Sequence, residues 1–306
     1  MKVLLATQKP FAASAVSGIR EILEGAGHQL DVLESYENES ALCNALADSD
    51  GLIVRSDKVT ASVIEAAPKL GIIVRAGAGY DNVDLEAATE RGIVVMNTPG
   101  QNSNAVAELA IAMMIYMSRA QFTPEIGSEI QGKTIGIQAF GNVGRLVAAK
   151  AGALGMKVMA IDPYLFPQQI REGGAEPAGS LEELYSCCDI ISVHIPATPQ
   201  TVGSIGYDLL CRMPKGAILV NTARKEVIDE DGLLKALSER TDLKYASDIA
   251  PSNLAALKDM CGLRVFTTPK KMGAQTREAN VNAGLAAARQ IVSFFSIGDI
   301  KYKVNI

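Results

Sequence analysis

Gly141, Gly144 and Asp162 have the residue types and spacing to hold the phosphates and a ribose of a dinucleotide. Ahead of the glycines lies an apolar run, Thr134-Ile-Gly-Ile-Gln138, that reads as a buried strand. After them Leu146, Val147, Ala149, Ala153 and Leu154 recur at helical spacing, and Gly155 ends the helix. Lys157-Val-Met-Ala-Ile161 reads as a second strand, closed by Asp162. The stretch is a strand–helix–strand unit of roughly 30 residues. Gly141 lets the backbone approach a pyrophosphate, and Gly144 lets the helix sit close on the strand. The helix start at Asn142 and Val143 offers unpaired N–H groups to the phosphates. The usual first glycine of such a turn is Ala139 here, a methyl larger and able to reshape the turn. A carboxylate at Asp162 accepts hydrogen bonds from ribose hydroxyls and repels a 2′-phosphate, so NAD is expected rather than NADP.

A second constellation is cationic. Val54-Arg-Ser-Asp-Lys58 places Arg55 and Lys58 just after an apolar strand, with Ser56 between them. An arginine makes bidentate contacts to phosphate and a serine adds a hydroxyl donor, so this group suits a small phosphorylated molecule; otherwise these are solvated loop charges. Asn102 and Ser103, at a helix start, add further donors.

These groups need a scaffold, and 306 residues suggest about two domains. Strands are expected at residues 2–6, 29–33, 51–54, 71–75 and 92–95, with helices between, among them 11–26 and 60–67. Asn97-Thr-Pro-Gly100 breaks the pattern, and residues 105–117 form a helix apolar nearly all round. Beyond the dinucleotide unit, strands are expected at 190–195, 216–221, 244–247 and 263–267. Helices are expected near 180–186, 208–211, 229–238, 254–259 and 275–295. Apolar runs such as Ile-Ile-Ser-Val and Ala-Ile-Leu-Val suit parallel strands covered on both faces. The tail, residues 300–306, returns to the first domain through Tyr302 and Val304. The expected fold is α/β, with two Rossmann-like parallel-sheet domains. A nucleotide-binding domain, 99–275, is inserted into a discontinuous substrate domain, 1–98 plus 276–306.

The net charge of −5 argues against a nucleic-acid or anionic-membrane partner. No uncharged apolar run approaches the ~18 residues of a membrane span, and the apolar start of the chain is too short for a signal peptide. Five cysteines, odd in number and without a CxxC, fit a reduced, cytoplasmic setting.

Four stretches resemble the D-2-hydroxyacid dehydrogenase family: residues 74–84, 97–109, 220–230 and the dinucleotide unit. The resemblance implies a two-domain enzyme with its site in the cleft between domains, NAD as cofactor, and a homodimer built around the nucleotide domain. It implies that Arg224 holds the substrate carboxylate and polarises the C2 oxygen. Backbone N–H groups around Ala76 and Gly77 are expected to hold the same carboxylate. Thr222, Ala223 and Asp248 would line the nicotinamide, with Gly273 nearby, and His194-Ile195-Pro196 would lie beside the adenosine ribose.

Two positions depart from the family. A His and a Glu normally form its acid–base pair; their places hold Lys271 and Asn253. A free lysine titrates near ~10.4 and must be lowered to work as a base near neutrality. A carboxylate partner would oppose that and neutral Asn253 does not, so the two changes are consistent with Lys271 as the base. Lys270 is the alternative. The expected reaction is oxidation of 3-phosphoglycerate to 3-phosphohydroxypyruvate. A reductase for glyoxylate, hydroxypyruvate or another unphosphorylated acid, and a catalytically silent NAD-binding sensor, stay open.

Overall fold

The computed structural model describes residues 1–305. Ile306, part of the expected tail, lies outside them. The chain divides into two compact units, Met1–Asn102 with Gln275–Ile306, and Ser103–Ala274.

Unit 1 runs β1 (Lys2–Thr7), α1 (Ala13–Gly25), β2 (Gln29–Glu34), α2 (Glu39–Leu46), β3 (Gly51–Val54), α3 (Ala61–Glu65), β4 (Ile72–Arg75), α4 (Leu85–Glu90) and β5 (Val94–Asn97). Unit 2 opens with α5 (Ser103–Ser118), then β6 (Thr134–Gln138), α6 (Asn142–Ala153), β7 (Lys157–Ile161), α7 (Pro167–Glu172), β8 (Glu176–Pro177), α8 (Leu181–Cys187) and β9 (Ile190–Val193). It continues with α9 (Tyr207–Arg212), β10 (Ile218–Asn221), α10 (Glu230–Glu239), β11 (Lys244–Ser247), α11 (Leu254–Cys261) and β12 (Val265–Thr267). The last helix, α12 (Arg277–Ile297), belongs to unit 1.

Both sheets are parallel. Unit 1 has the order β2-β1-β3-β4-β5 and unit 2 the order β12-β11-β10-β9-β6-β7-β8. Strands β3, β9 and β10 are buried at every residue, because helices cover both faces of a parallel sheet and leave no side for polar groups. Polar side chains set several helix starts. Asn38, Thr60, Asp84, Ser180 and Thr276 each accept the backbone N–H three residues on. Ser180 and the stretch before Thr276 therefore lie outside the helices expected to include them. Strand β9 stops at Val193, so His194 and Ile195 start the following loop.

The tail covers the free edge of β5. Val304 N–H donates to Val95 O, and Lys303 bridges Met96 antiparallel. Among the described residues no helix is long and apolar enough to cross a membrane.

Candidate active site

In unit 2 the chain runs outward from β6 to β8, then returns to β9 and continues the other way. The loops after β6 and β9 therefore part at the carboxyl edge, the place where open parallel sheets bind ligands. The β6 loop holds the glycine turn. Helix α6 has Gly141 as its N-cap, with no side chain capping it and no acid in its first turn, so its leading amides are not claimed by a side-chain cap. A Cβ built on Gly141 would meet nothing within 4 Å, which leaves the turn open to an approaching pyrophosphate. A Cβ on Gly144 would lie 2.2 Å from Ala139 O, so this position tolerates only glycine without movement. Ala139 itself adopts φ 76°, the left-handed conformation that a glycine would take freely. Ala139 carries the strain of this turn.

Asp162, at the tip of β7, accepts Phe140 N–H at 2.8 Å and Tyr164 N–H at 2.9 Å, one on each oxygen. It braces the glycine turn and still has a lone pair on each oxygen for a ribose hydroxyl. His194 touches Ser192 Oγ through Nε2 at 2.9 Å and lies 3.5 Å from Thr222 Oγ1 through Nδ1. Loss of hydration pushes its imidazole down to about 4, so the ring is neutral near pH 7. Ile195 is buried and Pro196 exposed in the same loop.

Thr222 and Ala223 are buried at the end of β10, followed by half-buried Arg224. Asn221, which sequence reasoning missed, shapes this turn. Its Oδ1 accepts Ala223 N–H at 2.9 Å and its Nδ2 donates to Arg224 O at 2.8 Å. The signal was a buried Asn ending an apolar strand.

Asp248, buried at the end of β11, is a hub. Its Oδ1 accepts the Thr268 hydroxyl at 2.9 Å and Met272 N–H at 2.7 Å, and Oδ2 accepts Gly273 N–H at 2.8 Å. Its carboxylate thus holds both ends of the segment carrying exposed Lys270 and Lys271. Sequence reasoning gave Asp248 to the nicotinamide; the structure shows it shaping this loop, with one lone pair left on Oδ2. Asn253 sits apart from that hub. Its Nδ2 donates to Glu230 O at 3.1 Å, and its buried Oδ1 has no hydrogen-bond partner among the described residues.

In unit 1 the carboxyl ends of β3 and β4 are adjacent, with Val54 opposite Arg75. Arg55 is half-buried, while Ser56 and Lys58 are exposed. Arg75, also missed in the sequence, donates Nε–H to Arg55 O at 2.8 Å. Its guanidinium lies over Gly77, where a Cβ would come within 1.6 Å of Nη1, and Gly77 takes φ 152°. The Ala76 N–H donates to Val54 O and the Gly77 N–H to Arg75 O. Both expected carboxylate donors are thereby engaged within the chain. In this loop the N–H groups without a backbone acceptor, among the described residues, are those of residues 78–82, beginning with Ala78 and Gly79. Asn102 is half-buried where unit 1 ends.

Residues 106–269 match the D-isomer specific 2-hydroxyacid dehydrogenase, NAD binding domain. The chain belongs to the D-isomer specific 2-hydroxyacid dehydrogenase family. Unit 2 contains this family's NAD-binding domain, and the open Gly141 turn, the N-terminus of α6 and Asp162 are residues that fit NAD. The chain is 39% identical over 290 residues to the D-3-phosphoglycerate dehydrogenase of Rattus norvegicus, covering 89% of this chain and 54% of that one. It is 35% identical to the enzyme of the same name from Archaeoglobus fulgidus, covering 100% of this chain and 59% of that one. It thus spans little more than half the length of these curated relatives. Among solved structures, it is similar to NAD+-bound 3-phosphoglycerate dehydrogenase of Entamoeba histolytica. There the TM-score is 0.88 and the identity 47%, with 100% of this chain and 99% of that chain covered.

Proposed function

We propose that the protein oxidises D-3-phosphoglycerate to 3-phosphohydroxypyruvate, the first step of serine biosynthesis, with a lysine as general base. The observation that carries this reading is the placing of two arginines, Arg55 and Arg75, at the carboxyl edge of unit 1, where Arg75 Nε–H donates to the backbone oxygen of Arg55. With the substrate carboxylate held by Arg224, a small hydroxy acid without a phosphate has no second anion for these two arginines. The full-length likeness to the Entamoeba enzyme supports the same substrate.

Bound NAD supplies the hydride acceptor. Arg224, on the turn braced by Asn221, grips the substrate carboxylate and polarises the C2 oxygen. The loop that begins at Ala76 and Gly77 offers that carboxylate the backbone donors of Ala78 and Gly79, and Ser56, Lys58 and Asn102 add to the phosphate contacts. Unprotonated Lys271 takes the C2 hydroxyl proton as the hydride leaves C2; in reverse its ammonium returns the proton. Asn253 puts no carboxylate in the place where the family pairs its base with one.

The test is production of NADH from NAD and D-3-phosphoglycerate, followed by absorbance, for the wild type and for Lys271→Ala, Lys270→Ala and Lys271→His. Loss of a positioned base costs roughly 10²–10⁴ in kcat. Lys271→Ala should show that loss with NAD affinity intact. A near-normal kcat in that variant rejects Lys271, and a loss in Lys270→Ala instead moves the role there. A wild type that binds NAD but turns over no hydroxy acid favours the silent sensor, and one that prefers unphosphorylated acids favours the reductase.

The same reading has two copies pairing through unit 2. Phe122 and Ile126, 70% and 101% exposed in the segment between α5 and β6, support it. Light scattering checks it, since a monomer at assay concentration removes it. Five free cysteines support a reducing, cytoplasmic compartment.

A further inference from the structure

Unit 1 has its own switch point. Its strand order reverses between β1 and β3, so the loops after these two strands part at the carboxyl edge. The loop after β3 carries Arg55 and Ser56. The loop after β1 is Gln8-Lys9-Pro10-Phe11, and the phosphate reading makes no use of it.

The two loops are fastened together. Buried Asp57 accepts Gln8 N–H at 2.6 Å and the Tyr36 hydroxyl at 2.8 Å on Oδ1, with Arg55 N–H at 3.4 Å from Oδ2. The Phe11 ring, 5% exposed, faces the Arg55 guanidinium, with Cζ 5.7 Å from the ring centroid. The Thr7 hydroxyl donates to Lys9 O at 2.7 Å and folds the loop tightly there. Lys9 lies between Gln8 and Phe11, and both of these touch the Arg55–Asp57 turn, so Lys9 is confined beside it. Its side chain is exposed and forms no ion pair among the described residues. The nearby acids already have donors: Asp57 as above, and Glu34 from Phe11 N–H at 3.3 Å.

We propose that Lys9 and Phe11 determine specificity for a phosphorylated substrate: Lys9 adds a cation to the phosphate site of Arg55 and Arg75, and Phe11 positions Arg55 through its ring face. The inference rests on the phosphate reading above. A guanidinium over an aromatic face keeps its charge while losing freedom, so it meets an anion already oriented. A lysine adds a point charge that reaches the phosphate from its own loop. A substrate that lacks the phosphate gains from neither.

The experiment is steady-state kinetics of the full chain with NAD, using D-3-phosphoglycerate and D-glycerate as separate substrates. The variants are Lys9→Gln, Phe11→Leu and, as control, Arg55→Ala. Lys9→Gln should raise KM for D-3-phosphoglycerate about fivefold, in the range of one exposed charge-assisted contact, and leave kcat unchanged. Phe11→Leu should raise it about two- to fivefold, the value of a cation–π contact. For D-glycerate both variants should stay within about twofold of the wild type in kcat/KM. If Arg55→Ala raises KM for the phosphorylated substrate while Lys9→Gln and Phe11→Leu do not, the inference is overturned and the phosphate reading stands. If Arg55→Ala is also without effect, the phosphate reading fails and this inference falls with it. Equal losses on both substrates in Phe11→Leu would reduce Phe11 to a packing residue and overturn its part. Lys9 is exposed, so its variant folds and keeps the question open to measurement.

Discussion

The strained Ala139 shows how one methyl group is tolerated at the centre of a nucleotide turn. Ala139 takes φ 76°, and its carbonyl oxygen lies where Gly144 must be bare. An L-residue in that conformation costs about 1–2 kcal/mol, of which glycine's larger unfolded-state entropy returns roughly 0.5–1 kcal/mol. Ala139→Gly should therefore stabilise the protein by about 0.5–1 kcal/mol and raise Tm by about 2 °C, read by calorimetry. A fall in Tm would mean that the turn does not adopt this conformation in solution. The same scale explains which residues sequence reasoning could not find. Arg75 and Asp57 stood inside or beside recognised stretches, yet their work consists of hydrogen bonds to residues placed by other strands. Types and spacing along the chain do not reveal such bonds.

At the scale of elements, the parallel strands were legible because their apolar runs are continuous, and the end of α6 because Gly155, at φ 81°, follows it. Strand β8 was not legible: it has two residues, too few for a period to register. The tail shows an element whose role depends on one side chain. Asn305, 6% exposed, accepts Val95 N–H through Oδ1 at 2.8 Å and donates through Nδ2 to Ile93 O at 2.9 Å and Thr89 Oγ1 at 3.0 Å. It supplies the edge of β5 with partners that a neighbouring strand would otherwise give. Asn305→Ala leaves buried backbone groups unpaired, at about 1–3 kcal/mol each. The variant should unfold at a clearly lower denaturant midpoint, whereas Lys303→Ala, at an exposed position of the same tail, should fall within about 0.5 kcal/mol of the wild type. Equal midpoints for the two variants would show that the tail is not held by this side chain.

At the scale of the whole molecule, two units built on the same parallel-sheet rule place their loops of chemical interest at carboxyl edges, and each reverses its strand order at one point. The sequence revealed this plan through its repeated apolar runs and its one glycine turn, but not the loop hubs at Asp57 and Asp248, which join segments about 20 to 50 residues apart. The cofactor test belongs here, because ligand bound to the folded state stabilises the entire chain by mass action. At a hundred times its Kd, NAD should add about 2.7 kcal/mol, which raises Tm by about 5 °C for a chain of this size. NADP at the same concentration should add little, because its 2′-phosphate would face the Asp162 carboxylate. Asp162→Asn keeps an oxygen for the Phe140 N–H and removes the charge, so it should narrow the difference between the two cofactors while lowering the NAD shift. Equal shifts from NAD and NADP in the wild type would show that the Asp162 charge does not select the cofactor. No shift from either would separate the open turn at Gly141 from dinucleotide binding altogether.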